Sequence, residues 1–141
     1  MKRIVLLFLV LGACIAGPAY AQAYQVIVNV GNDVTSLSKD EASKLFLKQT
    51  GKWSDGKAVT PVDQDRDSKV REAFSHVVHG RSSSAITAYW QQQIFSGQDV
   101  PPIEKAGDAD VVSFVQANAG AVGYVSGGAT LGSGVKVVAI R

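Results

Sequence analysis

Short β-branched runs and amphipathic helical stretches take turns along most of this chain, and that alternation constrains the fold more than any other feature. Residues 24–30 read Tyr-Gln-Val-Ile-Val-Asn-Val, a strand-like run that Gly31-Asn32-Asp33 closes as a turn. Ser38-Lys39-Asp40-Glu41 is a capping box, in which Ser38 accepts from the amide three residues on and Glu41 reaches back. A helix therefore opens there, with Ala42, Leu45 and Phe46 at helical spacing and Gly51 as its expected stop. Trp53-Ser54-Asp55-Gly56 carries an Asp-Gly turn signal, and residues 58–62 predict a second strand in which Pro61 requires an edge or strand-end position.

Asp67 or Ser68 caps the next helix, whose expected buried stripe is Val70, Phe74, Val77 and Val78, with Lys69, Glu72, His76 and His79 opposite and Gly80 at its end. Arg81-Ser82-Ser83-Ser84 caps a third helix containing Ile86, Tyr89, Trp90 and Ile94, followed by a loop through Ser96-Gly97 and Pro101-Pro102. Residues 108–118 form a fourth amphipathic helix on Val111, Val112, Phe114 and Val115, closed by Ala119-Gly120. Strands follow at 121–125 and 135–140, separated by a glycine-rich turn region. The expected class is α/β, a small mixed sheet covered by helices.

At the N-terminus, Lys2 and Arg3 precede an apolar run over residues 4–16, Gly17-Pro18 breaks it, and Ala19-Tyr20-Ala21 supplies small residues where a signal peptidase reads. Residues 1–21 are thus expected to be a signal peptide and 22–141 a single exported, periplasmic domain. The run is about 13 residues, short of the roughly 20 that span a bilayer. Leu11-Gly12-Ala13-Cys14 loosely resembles a lipoprotein box, but Ile15 and Ala16 continue the apolar run and the later site is well formed. Cleavage there removes Cys14, the one cysteine, and with it any disulfide or thiol nucleophile.

The chain has 14 basic and 12 acidic residues; with Lys2 and Arg3 in the export segment, the remainder is electrically balanced. Without a concentrated basic face, nucleic acid and anionic membrane surfaces are not expected partners.

Asp63, Asp65 and Asp67 imitate the opening of a calcium loop, but Ser68 stands where glycine is needed and Phe74 where glutamate is needed. Glu72, His76 and His79 share a helical face at i, i+4, i+7, a spacing that admits a metal but is read here as a solvated face with a Glu72–His76 pair. No metal or other cofactor is expected. There is no Gly-x-Ser-x-Gly elbow, dinucleotide fingerprint or P-loop, which argues against an enzyme. Trp53, Tyr89, Trp90 and Tyr124 are read as core rather than as a ligand surface. Ser68, Lys69 and Arg71 at a helix start form the candidate anion site, opposed by the neighbouring aspartates.

Taken in order, Leu45-Phe46-Leu47-Lys48, Trp53-Ser54-Asp55-Gly56, residues 61–68, Arg71-Glu72-Ala73-Phe74, Tyr89-Trp90 and Gly120-Ala121-Val122-Gly123-Tyr124-Val125 resemble the substrate-binding proteins of phosphate ABC transporters, particularly short periplasmic members. The resemblance runs from about Gln25 to Val125. It implies one lobe of a type II periplasmic-binding fold, whereas full-length members hold phosphate between two lobes. The family's Arg-Ser-Asp-x-Ser-Gly-Thr segment falls on residues 64–70. Its serine is retained as Ser68, but its arginine is Gln64, its glycine Lys69 and its threonine Val70.

The resemblance implies association with phosphate or another oxyanion, and of the motif only Ser68 carries over as a ligand; the expected protein is non-enzymatic, with Ser68, Lys69 and Arg71 holding the anion at the helix start and a homodimer as one way to rebuild a cleft. The alternative is a periplasmic interaction module that has lost solute binding and docks on a transporter, porin or sensor.

Overall fold

The computed structural model describes residues 23–141. The expected signal peptide, residues 1–21, and the Cys14 box lie outside the described residues. In chain order the elements are β1 (Gln25–Asn29), β2 (Ser36–Leu37), α1 (Lys39–Phe46), β3 (Thr60–Gln64), α2 (Lys69–Phe74) running into a π-helical turn (Ser75–His79), α3 (Ser83–Phe95), β4 (Ile103–Lys105), α4 (Asp108–Ala117), β5 (Ala121–Val125) and β6 (Val135–Ile140). The six strands form one mixed sheet in the order β2-β6-β1-β5-β3-β4. β1 runs antiparallel to β5 and β6, while β3 is parallel to both β5 and β4 and β2 is parallel to β6.

Strand alternation divides the core between two faces. Val26, Val28, Val122 and Tyr124 point to the side of α1, α2 and the π-helical turn, where they meet Leu45, Phe46, Trp53, Phe74 and Val78. Ile27, Ala121 and Val125 point the other way, onto Val111, Val112 and Val115 of α4. Gly123 lets α4 come this close, since a β-carbon there would sit 2.7 Å from both Val111 and Val62. On the first face Phe74 stacks on Tyr124 at 4.0 Å and Phe46 meets Phe74 at 4.7 Å, anchoring both helices to the sheet.

The Ser38–Glu41 capping box forms as expected, Glu41 accepting from the Ser38 amide at 2.7 Å. The helix closes earlier than Gly51, because Lys48 takes a left-handed conformation (φ 58°) and the Gln49 and Lys48 amides turn back to the carbonyls of Lys44 and Leu45. The second strand is displaced to Thr60–Gln64. Pro61 is its second residue, ahead of the point where β4 pairs, so its missing N–H costs no ladder bond on that side. β2 and β4, two and three residues long, were hidden in what reads as loop.

The helix after Ser68 departs from the expected stripe. Phe74 and Val78 are buried, but Val77 is exposed and His79 turns inward. The π-helical turn inserts an extra residue per turn and rotates everything beyond Phe74, until Gly80 (φ 66°) ends the segment. His79 then packs edge-on against Phe74 and places Nδ1 2.7 Å from the Ser43 hydroxyl on α1. The expected Glu72, His76, His79 face is thereby broken: Glu72 pairs with His76 at 2.8 Å, and His79 leaves them.

Burial, then the charges of Arg81 and Arg71, hold the His79 imidazole down at about 4, against an ordinary 6.5. As pH falls, the unfolded chain therefore takes up this proton first. The stability associated with neutral His79 is complete above about pH 6.5 and drains away between there and about pH 4. A His79→Asn variant, which can still bond Ser43, should lose less stability than the parent across this window in urea titrations. Parallel losses in the two proteins would contradict the assignment.

Candidate functional site

The carboxyl ends of β3 and β5 and the start of α2 converge at one point of the sheet, the place where open α/β sheets generally bind ligands. Here that point is filled by the protein's own polar side chains. Ser68 caps α2, accepting from the Arg71 amide at 3.2 Å and donating to Gln64 Oε1 at 2.8 Å. Gln64 Nε2 donates to Asp108 Oδ1 at 2.8 Å and to the Tyr124 carbonyl at 3.2 Å. Asp108, at the start of α4, also accepts from the amide and hydroxyl of Ser126 just beyond β5. One glutamine thus ties together the ends of β3 and β5 and the starts of α2 and α4.

Arg71 supports the same point from below. Its side chain is 3% exposed, and Nη1 donates to the Gln64 carbonyl at 2.7 Å and to Glu104 at 3.0 Å, while Nη2 lies 3.9 Å from Asp63. The Tyr124 hydroxyl donates to Asp63 at 2.8 Å and accepts from the Gln64 amide at 3.1 Å. Burial pushes the Asp63 carboxyl up, opposed by Arg71 and the Tyr124 hydroxyl; burial beside Asp63 pushes the Tyr124 phenol up as well. Burial would raise Asp108 too, but the Ser126 and Gln64 donors hold it below the ordinary carboxylate value.

The three residues expected at an anion are therefore differently placed. Ser68 and Arg71 are joined through the cap and through Gln64, with the Ser68 hydroxyl engaged as both donor and acceptor. The Arg71 guanidinium is engaged by the buried Asp63 and by Glu104, which stands at the surface, and Lys69 is exposed at the first residue of α2. Asp63 and Glu104 engage the Arg71 guanidinium, and Asp108 is bonded to Gln64. Arg71, Arg66, Trp90 and Glu104 line a notch of about 40 Å³, room for a few waters. A hollow of about 510 Å³ lies elsewhere, between α1 and the Trp53 turn, floored by Val34, Leu37, Leu45 and Trp53 with Lys44 and Lys52 at its rim.

The roles of Gln64, Asp63, Tyr124, Glu104 and Asp108 were missed from the sequence. Their signal was faint: a strand that ends on two polar residues and still buries them. Ser43 and His79 form a hydroxyl–imidazole pair, but Glu72, the nearest acid on that helix in sequence, is engaged by His76 and Ser83 and so does not orient the imidazole. Of the four aromatics read as core, Trp53, Trp90 and Tyr124 are buried and Tyr89 is half-buried against Trp90.

Compared with solved structures, the chain superposes on an ABC-type phosphate transport receptor from Vibrio cholerae with a TM-score of 0.66 and 19% identity, over 84% of this chain and 46% of that one. A Clostridium perfringens protein described as a phosphate ABC transporter substrate-binding protein, crystallised with bound phosphate, gives a TM-score of 0.65 at 20% identity, over 84% and 44% of the two chains. The fold is shared with part of a phosphate receptor. PstS from Borrelia burgdorferi matches more distantly, with a TM-score of 0.55 at 12% identity over 84% and 47%. The chain thus spans less than half the length of each receptor. No family model and no curated protein matches the sequence. Among the described residues no helix is long and apolar enough to cross a membrane.

The buried cluster makes Arg71 a structural cation. Replacing it with methionine leaves Asp63 buried without its counter-charge, which costs about 3–5 kcal/mol when a buried pair loses one partner. Arg71→Met should lower stability on that scale in urea titrations, and adding Asp63→Asn should recover part of the loss. A loss well below about 1 kcal/mol, the scale of an exposed ion pair, would show that Arg71 is not held as described.

Proposed function

We propose that this chain is an exported, non-enzymatic protein in which one phosphate-receptor-type lobe serves as a periplasmic interaction module, docking on a membrane protein such as a transporter, porin or sensor. The observation that carries the reading is the closure of the polar cluster on itself. A bond to an ionised partner is worth about 1.5–3 kcal/mol, and solute capture needs several such donors free. Here Gln64 replaces the arginine of the resembling motif and spends its amide on Asp108 and Tyr124. Ser68 is spent on Gln64 and its own helix, and Arg71 on Glu104 and Asp63. Non-enzymatic action fits the likeness to transport receptors, and export fits the leader-like residues 1–21.

A second reading, weak binding of phosphate or another oxyanion at Ser68, Lys69 and Arg71, is favoured by the retained Ser68 cap with exposed Lys69 beside it. It is supported also by the likeness to a structure holding phosphate.

Calorimetric titration of dialysed residues 22–141 with phosphate, with sulfate as control, separates the two. The interaction reading expects no saturable heat. Saturable phosphate binding at micromolar affinity, abolished in Ser68→Ala/Lys69→Ala, would overturn it in favour of the second. The positive arm is affinity capture from native membranes, where recovery of no specific membrane protein counts against the first reading.

A further inference from the structure

The hollow between α1 and the Trp53 turn shares no residue with the Arg71 cluster. At about 510 Å³ it has the size of a small-molecule site, which runs from roughly 300 to 1,000 Å³. Its floor is apolar and fixed in place. Leu37 is buried on β2, where it pairs with Ile140 of β6, and Leu45 is buried on α1. Trp53 is 8% exposed and donates its indole N–H to the Gly120 carbonyl at 2.9 Å, so its one polar atom is spent and only its ring is left for a guest. Val34 is held by the donation of its amide to Asn32 Oδ1 at 2.9 Å.

The rim carries four charged residues, Asp33, Glu41, Lys44 and Lys52. Two of them are engaged already: Lys44 pairs with Asp40 at 2.7 Å, and Glu41 closes the capping box of α1. Asp33 and Lys52 are not. Both are exposed, and among the described residues neither side chain has an ion-pair or hydrogen-bond partner. They are opposite in sign and line the same hollow, yet lie beyond ion-pair reach of each other. The hollow therefore offers a free carboxylate and a free ammonium over an apolar floor. A simple anion would meet Asp33 as well as Lys52, a simple cation would meet Lys52 as well as Asp33, and an uncharged hydrophobe would use neither. A guest that matches the whole set carries an ammonium, a carboxylate and an apolar body.

We propose that this hollow binds a small zwitterion of that kind, the chemistry of a free α-amino acid with a branched or aromatic side chain. Its carboxylate lies toward Lys52, its ammonium toward Asp33 and its side chain on Leu37, Leu45 and Trp53. Exposed charge pairs contribute little individually, so the site is one of weak affinity that selects by the combination. It is independent of the proposed docking role and of the oxyanion reading, neither of which uses these residues.

Amide NMR of the nitrogen-15-labelled protein, titrated with L-leucine and with L-phenylalanine into the millimolar range, tests it. Saturable shifts should centre on residues 33–37 and 50–54 and on the Trp53 indole N–H. N-acetyl-leucine, which lacks the ammonium, and leucinamide, which lacks the carboxylate, should each bind about threefold or more weakly than leucine. The charge reversals Lys52→Glu and Asp33→Lys, both at exposed positions, should weaken leucine binding at least as much and leave the melting temperature unchanged. No saturable shift with either amino acid, shifts centred elsewhere, or binding indifferent to both charge reversals overturns the proposal.

Discussion

A guanidinium buried to 3% exposure must be neutralised and saturated where it lies, and Arg71 imposes that demand on the centre of this fold. Meeting it takes Asp63 and the Gln64 carbonyl from the end of β3 and Glu104 from β4. The Tyr124 hydroxyl then completes Asp63, which aligns β5 beside β3. The aromatic ring that carries that hydroxyl is the one on which Phe74 stacks, so polar cluster and apolar core share a side chain. Strand register, helix placement and the chemistry of the cleft end are one arrangement.

That arrangement underlies the proposal that a receptor-type fold persists here without solute binding at its strand ends. The Gln64, Ser68 and Arg71 donors at the carboxyl ends of the strands are engaged within the protein. A helix start with Ser68 at its cap is retained because the cap stabilises α2 whether or not a ligand is present. The same serine supports a ligand reading in the sequence and a structural one in three dimensions. Its hydrogen-bond partners, Gln64 and the Arg71 amide, support the structural one.

What was legible in the sequence was local or periodic. The Ser38–Glu41 box, the Ser68 and Ser82 caps, the Gly80 stop and strands β1, β5 and β6 follow from neighbours within a few residues or from alternation. The candidate site was legible only in part: Ser68 and Arg71 were found, but the direction of the Arg71 side chain depends on Glu104, a residue 33 positions away. Gln64 and Asp63 look like loop residues because nothing local shows that Tyr124 and Arg71 will satisfy them. The π-helical turn that moves His79 inward and Val77 outward is likewise set by packing against α1, and β2 and β4 are too short to carry a pattern of their own.

The central claim, that the Arg71 cluster is closed to solute, is tested most directly by nitrogen-detected NMR of the Arg71 guanidinium with and without excess phosphate. A slowly exchanging, well-dispersed Arg71 side-chain signal that does not move on addition of phosphate is the predicted result. A signal that exchanges like that of an exposed arginine, or shifts saturably with phosphate and not with sulfate, would contradict it.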